Sequence, residues 1–346
     1  MSVGVTMNAY TFRMAVTSID VAKLAGVSQA TVSRALRDQR GTSEATRRHV
    51  RAVARELGYV PLQSGRSLST SRTRRIGIVV GELTNPFYAA LVDPIVRELE
   101  LRGYLGVIIH DDDVREPDNA AIFDGSFDGV LLTAVSDSLV TQEIEHRGIP
   151  YCMLNREIRG RKPVSASVPD NHRGTELVAG LLADLGHVDV GVVSGPHTTS
   201  TGRERLQGFR EALARRNIAV HPDSVREVPF TIEHGCRATR EILAVRPSVT
   251  ALFCANDVLA VGALEAAAQD LRPVPESLTV VGFDDISLAR LAAFKLTTIA
   301  VDLGALARQA TTHLLDRVEN PRVEPLRVVH DVRLALRGTH SAPRAS

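Results

Sequence analysis

Residues 20–36 read DVAKLAGVSQATVSRAL, and the grammar of this stretch decides the first part of the chain. Val21, Ala22 and Ala25 form the apolar face of one short helix, and Gly26-Val27-Ser28 interrupts the period. Val32, Ala35 and Leu36 resume it in a second helix from Gln29 to Leu36, with Ser28 as its N-cap. Two small amphipathic helices joined at a glycine turn, with alanines where they cross, meet the needs of a helix-turn-helix. The second helix of that motif enters the major groove with its N-terminal residues at base edges. On its outer face, Arg34 suits the O6/N7 edge of guanine and Gln29 can pair with a base, whereas Ala30 offers only apolar contact. Thr31 and Ser33 suit phosphates. With Ser28 at the helix start, these residues are the candidate DNA contacts. The bland alternative is a small helical bundle with an exposed polar face.

Outward from this stretch, Ser43 can cap a third helix through Val50, Val53 and Leu57, stopping at Gly58. Residues 59–75 are a Ser/Arg-rich connector. Residues 1–75 hold 13 Lys/Arg against 4 Asp/Glu, a balance of +9, while the remaining residues hold 28 against 36, a balance of −8. A basic end on an acidic body implies that only the end meets a polyanion. At 346 residues the chain fits a small head plus a large body. It has no apolar run long enough for a bilayer, and Met1 to Phe12 is too polar and mixed for a secretory signal. Cys152, Cys236 and Cys254 are scattered and odd in number, which fits reduced thiols and a cytoplasmic protein.

From Ile76 onward, strand-length apolar runs alternate with helical patterns: Ile76–Val80, Tyr88–Arg102, Leu105–Ile109, Gly129–Thr133, Ser138–Arg147 and Pro150–Leu154. After Asp170-Asn171 the series restarts with Gly174–Leu185, Val188–Val193, Gly202–Arg216, Thr250–Cys254, Val258–Asp270 and Leu278–Gly282. Two such series predict two lobes of doubly wound parallel sheet, with a ligand cleft at strand C-termini between them. Enzymatic alternatives lack a constellation. There is no Gly-x-Gly-x-x-Gly after the first strand, no Walker loop, no serine elbow and no metal spacing among the histidines. No catalytic residue, metal or cofactor is therefore expected.

The head string resembles the lactose/galactose repressor (LacI/GalR) family, and the likeness runs from about Thr17 to Gly338. Gly58-Tyr59-Val60-Pro61 and Arg66-Ser67-Leu68 resemble its hinge. Asn85-Pro86-Phe87-Tyr88, Gly186-His187, Arg205 to Phe209, Ala255-Asn256-Asp257, Gly282 to Asp285 and Leu296 to Ile299 resemble its sensor. The resemblance implies a small all-α helix-turn-helix head on an α/β periplasmic-binding-protein-like body. It also implies a homodimer on a palindromic double-stranded DNA operator, a small sugar-like effector, and repression of a carbohydrate-use operon. Leu68 would wedge into the minor groove beside Arg66, the alternative being a linker residue packed on its dimer mate.

By the same resemblance Phe87, Tyr88, Asn155, Arg205, Phe230, Asn256 and Asp284 line the cleft, with Arg205 and Asp284 as polar anchors. Taken singly, Asp284 could be a turn residue and Arg205 a surface ion pair. Asp170, Arg156 and Val301 are weaker candidates. The chain departs from the family at Leu62 and Gly65 in the hinge, in the short segment Val114–Phe127, and in some 13 residues before Met14.

The expected layout is an N-terminal extension over 1–16, the head over 17–60, the hinge over 61–75, an effector-binding and dimerisation domain over 76–338 and a tail over 339–346. Its first lobe takes about 76–170 and 300–322, its second about 171–299 and 323–338. A corepressor- or partner-activated regulator and a free solute-binding protein remain alternatives, and no membrane partner is expected.

Overall fold

A computed structural model describes residues 16–36, 40–59, 72–81, 83–115, 122, 124–134, 138–158 and 163–344. The chain divides into two compact units, Met1–Thr73 and Arg74–Ser346. The expected extension before residue 16 lies outside the described residues, as do Arg66 and Leu68 of the expected hinge.

The first unit holds α1 (Ser18–Ala25), α2 (Gln29–Leu36) and α3 (Glu44–Glu56). Thr17 and Asp20 form a reciprocal capping box at the start of α1. Gly26 ends α1 at φ +64°, a left-handed turn that a glycine adopts without strain. Ser43 caps α3 by accepting a hydrogen bond from the Thr46 N–H. Val21, Val32 and Val50, one from each helix, are fully buried at the centre, with Ala22, Ala25 and Ala35 allowing close approach.

The second unit carries two six-stranded sheets. The first consists of β1 (Arg75–Val80), β2 (Leu105–His110), β3 (Gly129–Leu132), β4 (Tyr151–Leu154), β5 (Ala166–Pro169) and β11 (Arg327–His330), all parallel, in the order β11-β5-β4-β3-β1-β2. The second consists of β6 (Val190–Ser194), β7 (Val225–Glu227), β8 (Ala251–Cys254), β9 (Thr279–Asp284), β10 (Thr297–Val301) and β12 (Val332–Ala335), in the order β12-β10-β9-β8-β6-β7. Only β12 in this sheet runs antiparallel. The helices are α4 (Pro86–Leu101), α5 (Asp111–Arg115), α6 (Ser138–His146), α7 (Asn171–Asp184), α8 (Ser200–Ala214), α9 (Ile232–Val245), α10 (Asp257–Gln269) and α11 (Leu303–Glu319). None of the described helices is long and apolar enough to cross a membrane.

Three crossings join the lobes, each at an aspartate. Asp170 caps α7 by accepting from the Arg173 N–H, and Asp302 caps α11 by accepting from the Ala305 N–H. Asp331 alone separates β11 from β12. The last crossing therefore falls later than expected: residues 323–330 belong to the first lobe, and β10 keeps residues 300–301 in the second. The expected tail also begins too early. The Thr339 hydroxyl is buried against the Val280 carbonyl, and the Ser341 carbonyl bonds His187 Nε2 at 2.9 Å.

Candidate functional site: a cleft between the lobes and the exposed face of α2

At the junction of the lobes, α8 buries Arg205 to 2% exposure. Its Nε donates to Asn171 Oδ1 at 2.9 Å, Nη1 to the Ala255 carbonyl at 2.6 Å and Nη2 to Asp284 Oδ1 at 2.9 Å. The guanidinium also lies 3.7 Å over the Phe283 ring. Burying a cation is tolerable here because its charge is matched and its donors are directed.

Asp284 ends β9 at φ +110° and Asp285 follows at φ +57°, two non-glycine residues in succession at positive φ. Their neighbours hold this corner. The Ile286 N–H donates to Asp257 Oδ2 at 2.8 Å, and the Thr298 hydroxyl donates to Asp257 Oδ1. Asp285 is gripped by Arg290 at 2.8 Å and Arg337 at 2.6 Å. A Cβ at Gly282 would lie 2.3 Å from Asp257 Oδ1, so the strand can pass only as glycine. Burial, and then the nearby Asp284, push the Asp257 carboxyl well above its usual 3.8, while the Thr298 hydroxyl draws it down. Burial also raises Asp284, against the pull of Arg205.

The other walls come from strand ends and helix starts. Asn85 caps α4 and sets Phe87 and Tyr88 at an edge-to-face angle of 82°. Asn155 follows β4 at φ +68°, and its Oδ1 is buried without a partner. Phe230 leans on Gly195, where a Cβ would come within 1.9 Å of the ring. Asn256 Oδ1 accepts from the Leu259 N–H as cap of α10. All seven expected cleft residues border one cavity, three from the first lobe and four from the second. The open space inside is about 20 Å³, room for about one water.

In the head, Ser28, Gln29, Ala30 and Arg34 are exposed, and Thr31 and Ser33 half-buried. Gln29 Nε2 donates to Ser18 Oγ at 2.9 Å, tying α2 to the start of α1, and Arg34 Nε donates to the Ala30 carbonyl at 3.2 Å. The Gln29 amide must give up that bond to pair with a base through Nε2, whereas the Arg34 Nη donors can reach one while Nε keeps its bond.

Residues 18–62 match the family of bacterial regulatory proteins, lacI family, and residues 179–340 match a periplasmic binding protein-like domain. The HTH-type transcriptional repressor CytR of Escherichia coli (strain K12) is 32% identical over 339 residues, 97% of this chain and 99% of the relative. The chain belongs to the lacI family.

Another member, the HTH-type transcriptional regulator CelR of Thermobifida fusca, is 33% identical over 92% of this chain and 96% of its own. Among solved structures, a CelR–cellobiose complex superposes with a TM-score of 0.73 at 31% identity, covering 94% of this chain and 99% of that one. The lac repressor dimer bound to operator and the anti-inducer ONPF superposes with a TM-score of 0.83 at 26% identity, covering 95% and 100%. This lacI-family chain is thus a helix-turn-helix transcriptional regulator with a two-lobed α/β body.

Within the lacI-family body, Asn85, Thr201 and Arg156 also border the cavity. Thr201 stands four residues before Arg205 and so on the same face of α8, a spacing that could have revealed it. Asp170 and Val301 do not border it. Asp170 is a helix cap, and Val301 faces a second inter-lobe cavity of about 590 Å³ beside Asp302.

Proposed function

We propose that this regulator is a homodimeric repressor of a carbohydrate-use operon, released from a palindromic operator by a small polyhydroxylated effector. In this reading α2 lies in the major groove, Arg34 and Gln29 face bases, and Ser28, Ala30, Thr31 and Ser33 complete the contact surface. The regulator works in the cytoplasm, on the operator, and it carries out no catalysis. The effector lies between the lobes, where Arg205 and Asp284 offer donors and acceptors to hydroxyls, Asn155 and Asn256 add amides, and Phe87, Tyr88 and Phe230 supply apolar faces. One observation carries this: side chains from separate segments of both lobes converge on a single cavity around a buried ion pair. A buried pair adds little stability over apolar packing, so its place at the lobe junction suits recognition. The CelR complex with cellobiose and the lac repressor dimer on its operator support the same assignment.

A ligand touching both lobes favours the closed body by its differential affinity for closed and open forms, and by no more than that. Closure then alters how the first lobes meet in the dimer, and the paired heads lose their spacing on DNA. A thermal-shift screen of sugars, polyols and nucleosides, followed by operator gel shifts with every hit, tests the assignment. A sugar that stabilises the body and weakens the operator complex is expected. A hit that strengthens the complex would reverse the sign of regulation.

A further inference from the structure

We infer that the effector is an anionic sugar derivative, a hydroxylated ring or chain bearing a carboxylate or phosphate, and that Arg156 is the residue that selects the charge. The inference rests on the assignment of the inter-lobe cavity as the effector site. Arg156 leaves β4 through the left-handed turn at Asn155 and enters the cavity from the first lobe. Its Nη1 donates to the Ala134 carbonyl at 2.9 Å, and its guanidinium stands 5.4 Å from the Phe230 ring of the second lobe. Its Nε is buried with no hydrogen-bond partner.

The nearby carboxylates are hydrogen-bonded to other arginines, although Asp284 also feels the Arg156 charge. Asp284 is bonded to Arg205, and Glu157 receives Arg327 Nε at 2.7 Å and Nη2 at 3.1 Å. The cavity wall thus holds two guanidiniums against one carboxylate. A water in the remaining space can accept from Nε but cannot balance the charge. The same cavity wall also carries a surplus acceptor, the buried Asn155 Oδ1. An unsatisfied cationic N–H suits an anionic oxygen and an unsatisfied amide oxygen suits a hydroxyl, and sugar acids and sugar phosphates carry both groups.

The segment is also fixed in place. The Glu157 N–H donates to Ser200 Oγ of the second lobe at 3.1 Å, so closure brings Arg156 to the ligand in one defined position.

Titration calorimetry on the full-length protein tests the inference with matched sets: glucose and galactose, their uronates and aldonates, and their 6-phosphates. An anionic member is expected to bind at least about tenfold more tightly than its neutral parent. The uronate and aldonate arms against the phosphate arm identify which anion it is. Arg156→Gln should erase the difference between charged and neutral partners, and Arg156→Lys, which keeps the charge, should restore much of it. The melting temperature of each variant shows whether it is folded, and the lysine variant carries the test if the glutamine one is not. Two results overturn the charge selection and leave the repressor assignment standing: a neutral sugar that binds and releases operator while its anionic forms do not, or a charge preference that survives in Arg156→Gln. Silence from the whole panel overturns both.

Discussion

Asp257 is fully buried, with the Thr298 hydroxyl and the Ile286 N–H as hydrogen-bond partners and two further carboxyls, Asp284 and Asp285, nearby. Its raised pKa has a consequence for stability. The native state holds this proton more tightly than the unfolded chain, so the contribution is fully present below about 3.8 and is lost as pH rises through the folded value. Urea unfolding of the body across pH should therefore show stability falling with pH above that point. Asp257→Asn, which keeps one acceptor and adds a donor for the Thr298 oxygen, should flatten the slope. An unchanged slope would place the titration elsewhere. The neighbouring anchor pair separates ligand recognition from folding. Arg205→Ala removes the cation hydrogen-bonded to the buried Asp284, and should cost about 3–5 kcal/mol of stability, measured by urea denaturation. Asp284→Asn keeps a polar partner for Arg205 and should chiefly cost about 1.5–3 kcal/mol of effector affinity, measured by calorimetry. Arg205 and Asp284 were legible in the sequence because the Arg205–Phe209 and Gly282–Asp285 strings are distinctive. Asp257 hid inside an Asn-Asp pair that reads as an ordinary helix start, and Asn171, which holds Arg205 Nε, carries no signal beyond its place after a crossing.

Among elements, α2 depends on contacts as local as its sequence period. Val32 and Ala35 face inward, and the outer residues are the ones the spacing marks. Arg34→Ala should cost about 1–3 kcal/mol and relax preference at one symmetric base pair in a randomised-site selection. Wild-type selectivity in that variant would remove Arg34 from the base readers. Elements with strong periods, such as α4 and β9, could be read directly. The strands missed were short and tertiary in origin. Ala166-Ser-Val-Pro169 has a serine and a proline in four residues, and becomes a strand because β4 and β11 flank it. Arg327 to Ala335 reads as one continuous run. Only the pairing of β11 with β5 and of β12 with β10 reveals that Asp331 carries the chain from one sheet to the other. Periodicity reports which side of an element is buried, not which sheet it joins.

Across the whole molecule, charge and cleft divide the work. Residues 1–75 carry 13 Lys/Arg against 4 Asp/Glu, so operator binding should release counterions and lose roughly 10³-fold or more in affinity between about 50 and 200 mM salt. Fluorescence anisotropy on a labelled operator reads this directly, and a flat profile would exclude phosphate-dominated binding. The body has the opposite balance, and an effector that touches both lobes shifts the population of open and closed bodies only by its differential affinity for the two. The most direct test of the account is an anisotropy titration of operator-bound wild type and Asp284→Asn with the effector found by screening. The account predicts that effector releases DNA from the wild type, and that the variant needs about tenfold or more of it for the same release. Equal release from both proteins at the same effector concentration would contradict it, because the cleft would then not be where the signal is received.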